Sequence, residues 1–73
     1  MHVVEVWIAG IAAPFRLEFR HQPDAEEMRD RIGTAAATPE DPSIAPFRDD
    51  YDQTVAFPVR DLRVLRTFAV CAV

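Results

Sequence analysis

Two stretches near the start of the chain alternate between hydrophobic and polar positions, and both are predicted to be strands. The hydrophobic residues expected on the buried side are Val4, Val6, Ile8, Phe15, Leu17 and Phe19. This period of two, built largely from β-branched and aromatic residues, is typical of strands with one buried face. The short segment 9–14 contains Gly10 and Pro14, so the two strands are predicted to form a hairpin.

The alternation allows two registers for this hairpin. In the symmetric register Val4 lies opposite Phe19, and Glu5 lies opposite Glu18. Two carboxylates then face each other on the outer side of the sheet, which is unfavourable. A shift of two residues pairs Glu5 with an arginine instead. The sequence leaves both registers open.

A helix is predicted after the hairpin. Residues 24–27 are typical of a capping box, with Asp24 as the N-cap and Glu27 three residues further on. The hydrophobic stripe of this helix is formed by Ala25, Met28, Ile32 and either Ala35 or Ala36. Gly33 could end the helix early, or the alanines could continue it to about residue 37.

The second half of the chain predicts three further strands. Three prolines and two acidic residues between positions 38 and 46 indicate a surface connection. Residues 47–48 are predicted to form a brief strand, residues 49–52 a tight turn and residues 54–57 the returning strand. Aspartates favour such a turn because their side chains accept hydrogen bonds from the nearby backbone. Residues 64–70 are predicted to be the last strand.

These elements follow the order ββαβββ, which predicts one small α+β domain over residues 1–73. The expected architecture has two layers, a mainly antiparallel sheet of four or five strands and one helix packed on one face. Because a single short helix covers only part of such a sheet, some sheet surface is expected to remain open.

Composition narrows the functional classes. All eight basic side chains are arginines, which excludes the lysine of a Walker loop and Schiff-base chemistry. Two glycines are too few for a glycine-rich nucleotide cradle. The only serine, Ser43, lies between prolines with no histidine near it in sequence. The protein is therefore predicted not to be an enzyme and to need no cofactor.

The sequence shows no targeting segment and contains a single cysteine. No apolar run approaches the roughly 20 residues of a membrane-spanning helix, and no basic region followed by an apolar block marks a signal peptide. The single cysteine, Cys71, cannot form an intrachain disulfide, which is consistent with a reducing compartment. We expect a cytoplasmic protein without membrane contact, in which Cys71 is a small core residue of the last strand.

Chain length points to association. A chain of 73 residues buries only about 60% of its unfolded surface, and such cores rarely contribute more than about 3–5 kcal/mol without help. Disulfides are unavailable and no metal-ligand cluster is visible, so self-association is expected. The formal charge of −4 does not favour nonspecific attraction to a nucleic-acid backbone.

Two groups of residues in the sequence are of types that can ligate metals. The symmetric register would bring His2 and His21 close together, but a metal site needs three or four ligands and no third is evident. The aspartates within residues 49–52 resemble the start of a calcium loop, yet Val55 stands where that loop requires glycine. No metal is expected, and a hairpin turn is the favoured interpretation of the aspartates.

Aromatic residues and arginines near the open sheet surface are the candidate partner-binding residues. They are Trp7, Tyr51, Arg60, Arg63, Arg66 and Phe68. Arginine suits bidentate contacts with carboxylates or phosphates, although the three arginines near the last strand could equally pair with neighbouring acids.

The sequence therefore predicts a non-enzymatic protein–protein interaction module, homodimeric, acting as a small accessory or inhibitor protein on a larger complex. Association could use backbone pairing at a free sheet edge or packing of two open sheet faces. One alternative is a nucleic-acid-binding module that uses the arginines of the last strand, with Trp7 or Tyr51 stacking on bases. Another is a small ligand sensor or enzyme with a site at a dimer interface, using His2, His21 or the carboxylates.

Overall fold

The structure, a computed structural model, describes residues 1–37 and 44–71. Its regular elements are β1 (His2–Ile8), β2 (Phe15–Phe19), α1 (Gln22–Ala36), β3 (Ile44–Arg48), β4 (Thr54–Pro58) and β5 (Leu62–Ala69), with a 3-10 turn at Val59–Asp61. Most of the predicted surface connection, Ser43 included, lies outside the described residues, as do the last two residues of the chain.

The strands form two antiparallel sheets. β1 is the centre of a three-stranded sheet in the order β2-β1-β5, and β3 pairs with β4 in a separate hairpin. The α+β class, the helix and the antiparallel pairing are confirmed. The single sheet of four or five strands is wrong, because the β3–β4 hairpin reaches β2 mainly through aspartate side chains rather than through a strand ladder.

The first hairpin adopts the shifted register. Glu5 lies opposite Arg16, and Val4 lies opposite Leu17. The symmetric alternative would have placed Glu5 against Glu18, so the observed pairing replaces a like-charge contact with an ion pair. The turn itself contains Gly10 at φ +82°, a backbone conformation that favours glycine.

Helix α1 packs on one face of the three-stranded sheet through Ala25, Met28 and Ile32, as the hydrophobic stripe predicts. The predicted start is wrong. The helix begins at Gln22 with His21 as N-cap, and Asp24 lies inside the first turn. A proline near the first helical position is already fixed at a helical φ, which accounts for the earlier start.

The β3–β4 hairpin contributes aromatic residues to the same core. The ring of Phe57 lies 5.5 Å from that of Phe47 and 6.3 Å from that of Phe15, measured between ring centroids. Phe57 and Phe47 are both buried. The two sheets therefore share one hydrophobic core although they do not share a ladder.

The end of the last strand differs from the prediction. β5 stops at Ala69, and Cys71 is exposed rather than a core residue. Val70 still bonds to Met1 through its backbone, but Cys71 lies outside β5 and its side chain is not packed in the core. Within the described residues, no helix has the length and hydrophobicity to cross a membrane.

Candidate functional site

The face of the three-stranded sheet turned away from α1 collects most of the chemically distinctive side chains. We call it the outer face. Side chains alternate along a strand, and those opposite the helix-facing set are Val3, Glu5, Trp7, Arg16, Glu18, Val64, Arg66 and Phe68. Val3 is buried but is not part of the core cluster beneath α1.

Glu5 lies at the centre of the outer face and is fully buried. Oε1 accepts a hydrogen bond from the indole Nε1 of Trp7 at 2.8 Å and another from Nε of Arg66 at 2.7 Å. Oε2 accepts a hydrogen bond from Nε of Arg16 at 3.1 Å. Three strands thus converge on one carboxylate, and both of its oxygens are used.

This environment keeps Glu5 ionised. The indole hydrogen bond from Trp7 and then the bond from Arg66 lower the pKa of Glu5 below its ordinary value of 4.5, with Arg16 acting in the same direction. Burial opposes the shift but does not reverse it. At neutral pH Glu5 is therefore an anion held by two cations and an indole N–H.

The two arginines are held in place yet remain accessible. Their side chains are 62% exposed at Arg16 and 60% exposed at Arg66. In the part of the chain that the structure describes, each gives only its Nε to a hydrogen bond, and the Nη groups have no protein acceptor. The guanidinium of Arg66 also lies 5.2 Å from the ring centroid of Phe68. Both guanidinium groups therefore offer donors to solvent from fixed positions.

The edge of the sheet at β2 is capped by the turn between β3 and β4. The backbone N–H of Glu18 donates to Oδ2 of Asp49 at 2.8 Å, and that of Arg20 donates to Oδ2 of Asp50 at 2.9 Å. The N–H of Asp50 donates in turn to the carbonyl of Glu18 at 3.2 Å. Aspartate side chains thus take the place of a neighbouring strand.

Asp49 organises this turn, which confirms the predicted hairpin turn at residues 49–52. Its Oδ1 accepts the backbone N–H of Tyr51 and of Gln53, each at 2.9 Å. Burial raises the pKa of Asp49, but the N–H groups of Glu18, Gln53 and Tyr51 outweigh it and hold the pKa below 3.8. The carboxylate is therefore committed to the protein's own backbone.

The opposite edge, at β5, has no strand beside it in the described part of the chain. Met1 and Val70 exchange both backbone hydrogen bonds, at 3.3 and 2.8 Å. Hydrogen-bonded and non-hydrogen-bonded pairs alternate in an antiparallel ladder, so the register makes Val64, Arg66 and Phe68 the β5 residues that bond to β1. The residues that direct their N–H and C=O groups away from β1 are Leu65, Thr67 and Ala69. Among residues 1–37 and 44–71, no strand pairs with this edge.

The predicted partner-binding residues fall into separate places. Trp7, Arg66 and Phe68 share the outer face. Tyr51 lies in the β3–β4 turn, 47% exposed, with the guanidinium of Arg20 5.5 Å from its ring centroid.

The remaining two arginines have other surroundings. Arg60 lies in the 3-10 turn, and Arg63 donates to the carbonyl of Leu62 at 3.5 Å, next to the register shift in the β1–β5 ladder. No interaction among the described residues joins either to Glu5. The arginines near the last strand therefore do not act as one group, and Arg66 alone belongs to the outer-face network.

The two histidines lie in different elements of the fold. His2 lies opposite Phe19 in the ladder, and His21 is the N-cap of α1. Over the described residues, no group of three or more metal-ligating side chains comes together.

Glu5 and Arg16 were missed as site residues by the sequence reasoning. The sequence contains a signal for Glu5, because it is an acid on the outer side of a strand whose other outer residues are Val3 and Trp7. The shifted register of the hairpin, which charge favours over the symmetric one, places Arg16 opposite Glu5.

No protein-family model matches the chain, and neither a curated protein nor a solved structure matches it.

Proposed function

We propose that the protein is a non-enzymatic protein–protein interaction module that works as a homodimer joined through β5. The observation that carries this proposal is the difference between the two edges of the three-stranded sheet. Asp49 and Asp50 cap the β2 edge, whereas the β5 edge has no strand beside it in the described chain. An unpaired edge strand is a template for pairing with another chain.

A two-fold axis centred on Thr67 fits the open edge best. It pairs Thr67 with its own copy and Leu65 with Ala69, so all three outward-directed residues exchange backbone hydrogen bonds. It also sets Arg66 directly opposite Phe68 of the second copy. An axis centred on Arg66 would instead oppose two arginines, which is destabilising.

Packing of two outer faces is the less favourable way to form the dimer. Such a contact would bring Arg16 and Arg66 against the same residues of a second copy, with only Glu5 and Glu18 of each chain to compensate them. Burying the exposed guanidinium groups without new acceptors carries a large desolvation cost. The dimer is therefore assigned to the edge and not to the face.

The non-enzymatic part of the proposal rests on the use of the buried carboxylates. Among the described residues, Asp49 accepts four hydrogen bonds, two on each carboxylate oxygen, and Glu5 accepts three. Both carboxylates are therefore committed to contacts that hold strands or turns together, which does not favour a role as a general base. We further propose a cytoplasmic setting, where the exposed Cys71 stays reduced, and a role as an accessory or inhibitor of a larger complex.

Sedimentation equilibrium tests the dimer. The wild-type chain is expected to sediment as a dimer at micromolar concentration, and Thr67→Pro as a folded monomer, because proline removes an N–H that points away from β1. Thr67→Val is the matched control, since it keeps the N–H and should remain dimeric. If Thr67→Pro loses its circular dichroism signal, Ala69→Pro repeats the test at an exposed position of the same edge. A monomeric wild type, or a dimeric proline variant, contradicts the proposal.

A further inference from the structure

The outer face carries binding capacity that the proposed dimer does not use. In an edge-paired dimer the outer faces of the two copies lie side by side on one surface, and the exposed arginines remain accessible. Trp7 and Phe68 are partly buried, and Val64 is 48% exposed. Tryptophan, arginine and other aromatic residues are the types that dominate binding energy at protein interfaces.

Glu5 fixes the arginines in a binding arrangement. Because Arg16 and Arg66 each bond through Nε to the same carboxylate, the remaining Nη donors are oriented before any ligand arrives. Side chains held in this way lose less entropy on binding. Paired N–H donors of a guanidinium group match the two oxygens of a carboxylate.

From these contacts we infer that the outer face binds an extended acidic segment of a partner protein, with one carboxylate on Arg16 and one on Arg66. This inference rests on the proposed function and names the chemistry of its partner. Glu5 lies between the two arginines, and Trp7 and Phe68 flank this row on opposite sides, Trp7 on β1 and Phe68 on β5.

The spacing agrees with that class of partner. The backbones of β2 and β5 are two strand spacings apart, about 10 Å, and both guanidinium groups lean inward to Glu5. Carboxylates at alternate positions of an extended chain lie on one side, about 7 Å apart. An acidic strand-like segment therefore presents its charges at a separation that the two arginines can meet.

Charge distinguishes this partner from the other occupants. A second copy would oppose arginine to arginine, as argued above. The chain's formal charge of −4 opposes a nucleic acid more than an acidic segment, because a nucleic acid is a dense polyanion whereas the segment needs only two carboxylates. Glu18, the other acid of the outer face, accepts a hydrogen bond from Nε2 of Gln53 at 3.2 Å, beside the β3–β4 turn. It therefore lies at the far side of the sheet from Arg66.

The indole of Trp7 gives a direct readout, because the chain has one tryptophan and its N–H bonds to Glu5. The probe is a short peptide in which glutamate and valine alternate, and the matched peptide replaces glutamate with glutamine. In ¹H–¹⁵N spectra the glutamate peptide should shift the indole resonance saturably, and the glutamine peptide should not. Added salt should weaken binding of the glutamate peptide.

Variants locate the contact. Arg16→Gln and Arg66→Gln should each weaken peptide binding about tenfold, while Arg48→Gln, which removes an exposed pair with Asp52 away from the outer face, should leave it unchanged. Arg16→Lys keeps the positive charge but not the paired N–H donors of the guanidinium group, so its affinity for the peptide should fall between those of the wild type and Arg16→Gln. Circular dichroism verifies that each variant is folded.

Equal binding of both peptides, loss of binding in Arg48→Gln, or tighter binding of single-stranded oligothymidine would overturn the inference. Sedimentation of the same samples tests the proposed dimer independently of peptide binding. A monomer that binds the glutamate peptide contradicts only the edge pairing, and a dimer that does not bind contradicts only the acidic partner.

Discussion

Arg66 lies directly opposite Glu5 across the β1–β5 ladder, and its Nε donates a 2.7 Å hydrogen bond to Oε1 of that buried carboxylate. The two residues are 61 positions apart in sequence. The pair therefore ties the last strand to the first through a side chain as well as through the backbone.

Because Glu5 is buried and its arginines are exposed, removing the arginines should lower the stability of the protein more than removing Glu5. The double variant Arg16→Ala/Arg66→Ala should lower the melting temperature by roughly 5–10 °C, because it leaves a buried carboxylate without its cations. Glu5→Val should cost less, since the exposed guanidinium groups that lose their partner can be hydrated. Differential scanning calorimetry of the three proteins compares them. A larger loss in Glu5→Val would show that the arginines, and not Glu5, depend on the network.

The cap on β2 predicts a specific role for Asp49. Asp49→Asn retains an oxygen for the turn but sets an amide donor against the N–H of Glu18, so stability should fall by about 1–2 kcal/mol. Asp52→Asn is the control. Asp52 is exposed and has φ +62°, a region that asparagine tolerates well, so its stability should be unchanged. Urea denaturation measures both, and equal losses would count against the cap.

Acid should destabilise the fold in a defined window. Glu5 and Asp49 have pKa values below the ordinary 4.5 and 3.8, so the folded state binds protons less readily than the unfolded state. Their contribution is fully present above those ordinary values and is lost as the pH falls toward the lower folded pKa values. Thermal unfolding between pH 6 and about pH 2.5 should show a steep decline below about pH 4.5. The decline should be shallower in Glu5→Gln/Asp49→Asn, and an unchanged slope in that variant would disprove the assignment.

The two glycines of the chain predict opposite effects of the same substitution. Gly10 has φ +82°, so Gly10→Ala should destabilise the protein by about 1 kcal/mol through backbone strain. Gly33 lies inside α1, and an added Cβ would sit 3.8 Å from Cδ2 of Leu65, an ordinary contact. Gly33→Ala should therefore stabilise the protein by about 0.5–1 kcal/mol. Chemical denaturation gives both values, and a loss of stability in Gly33→Ala would mean that the helix packs more tightly on β5 than the structure indicates.

The sequence predicts the local elements of this fold well because periodicity is a local property. The alternation around Val4 and Leu17 identifies β1 and β2, and the aspartates at 49–52 identify a turn. The choice of register depends on which charge stands opposite Glu5, a long-range fact that periodicity does not contain. The start of α1 differs from the prediction for a local reason, because the proline in the first turn favours a helix that begins at Gln22 and includes Asp24 in that turn.

The candidate site was predictable only in part. Trp7, Arg66 and Phe68 follow from residue type and position in a strand. The burial of Glu5 does not follow from them, because it requires three strands to meet around one carboxylate. The division into two sheets was also beyond local reasoning, since it depends on aspartate side chains occupying the place of a strand.

The aspartate cap on β2 bears on how far association can proceed. A sheet that is receptive along both sides can add copies without end, as fibrils do. Here one side is already occupied by the chain's own carboxylates, so in the proposed dimer strand pairing through the other side would be complete after a single partner has joined. The same two acids that fasten a turn would thus make the proposed assembly self-limiting.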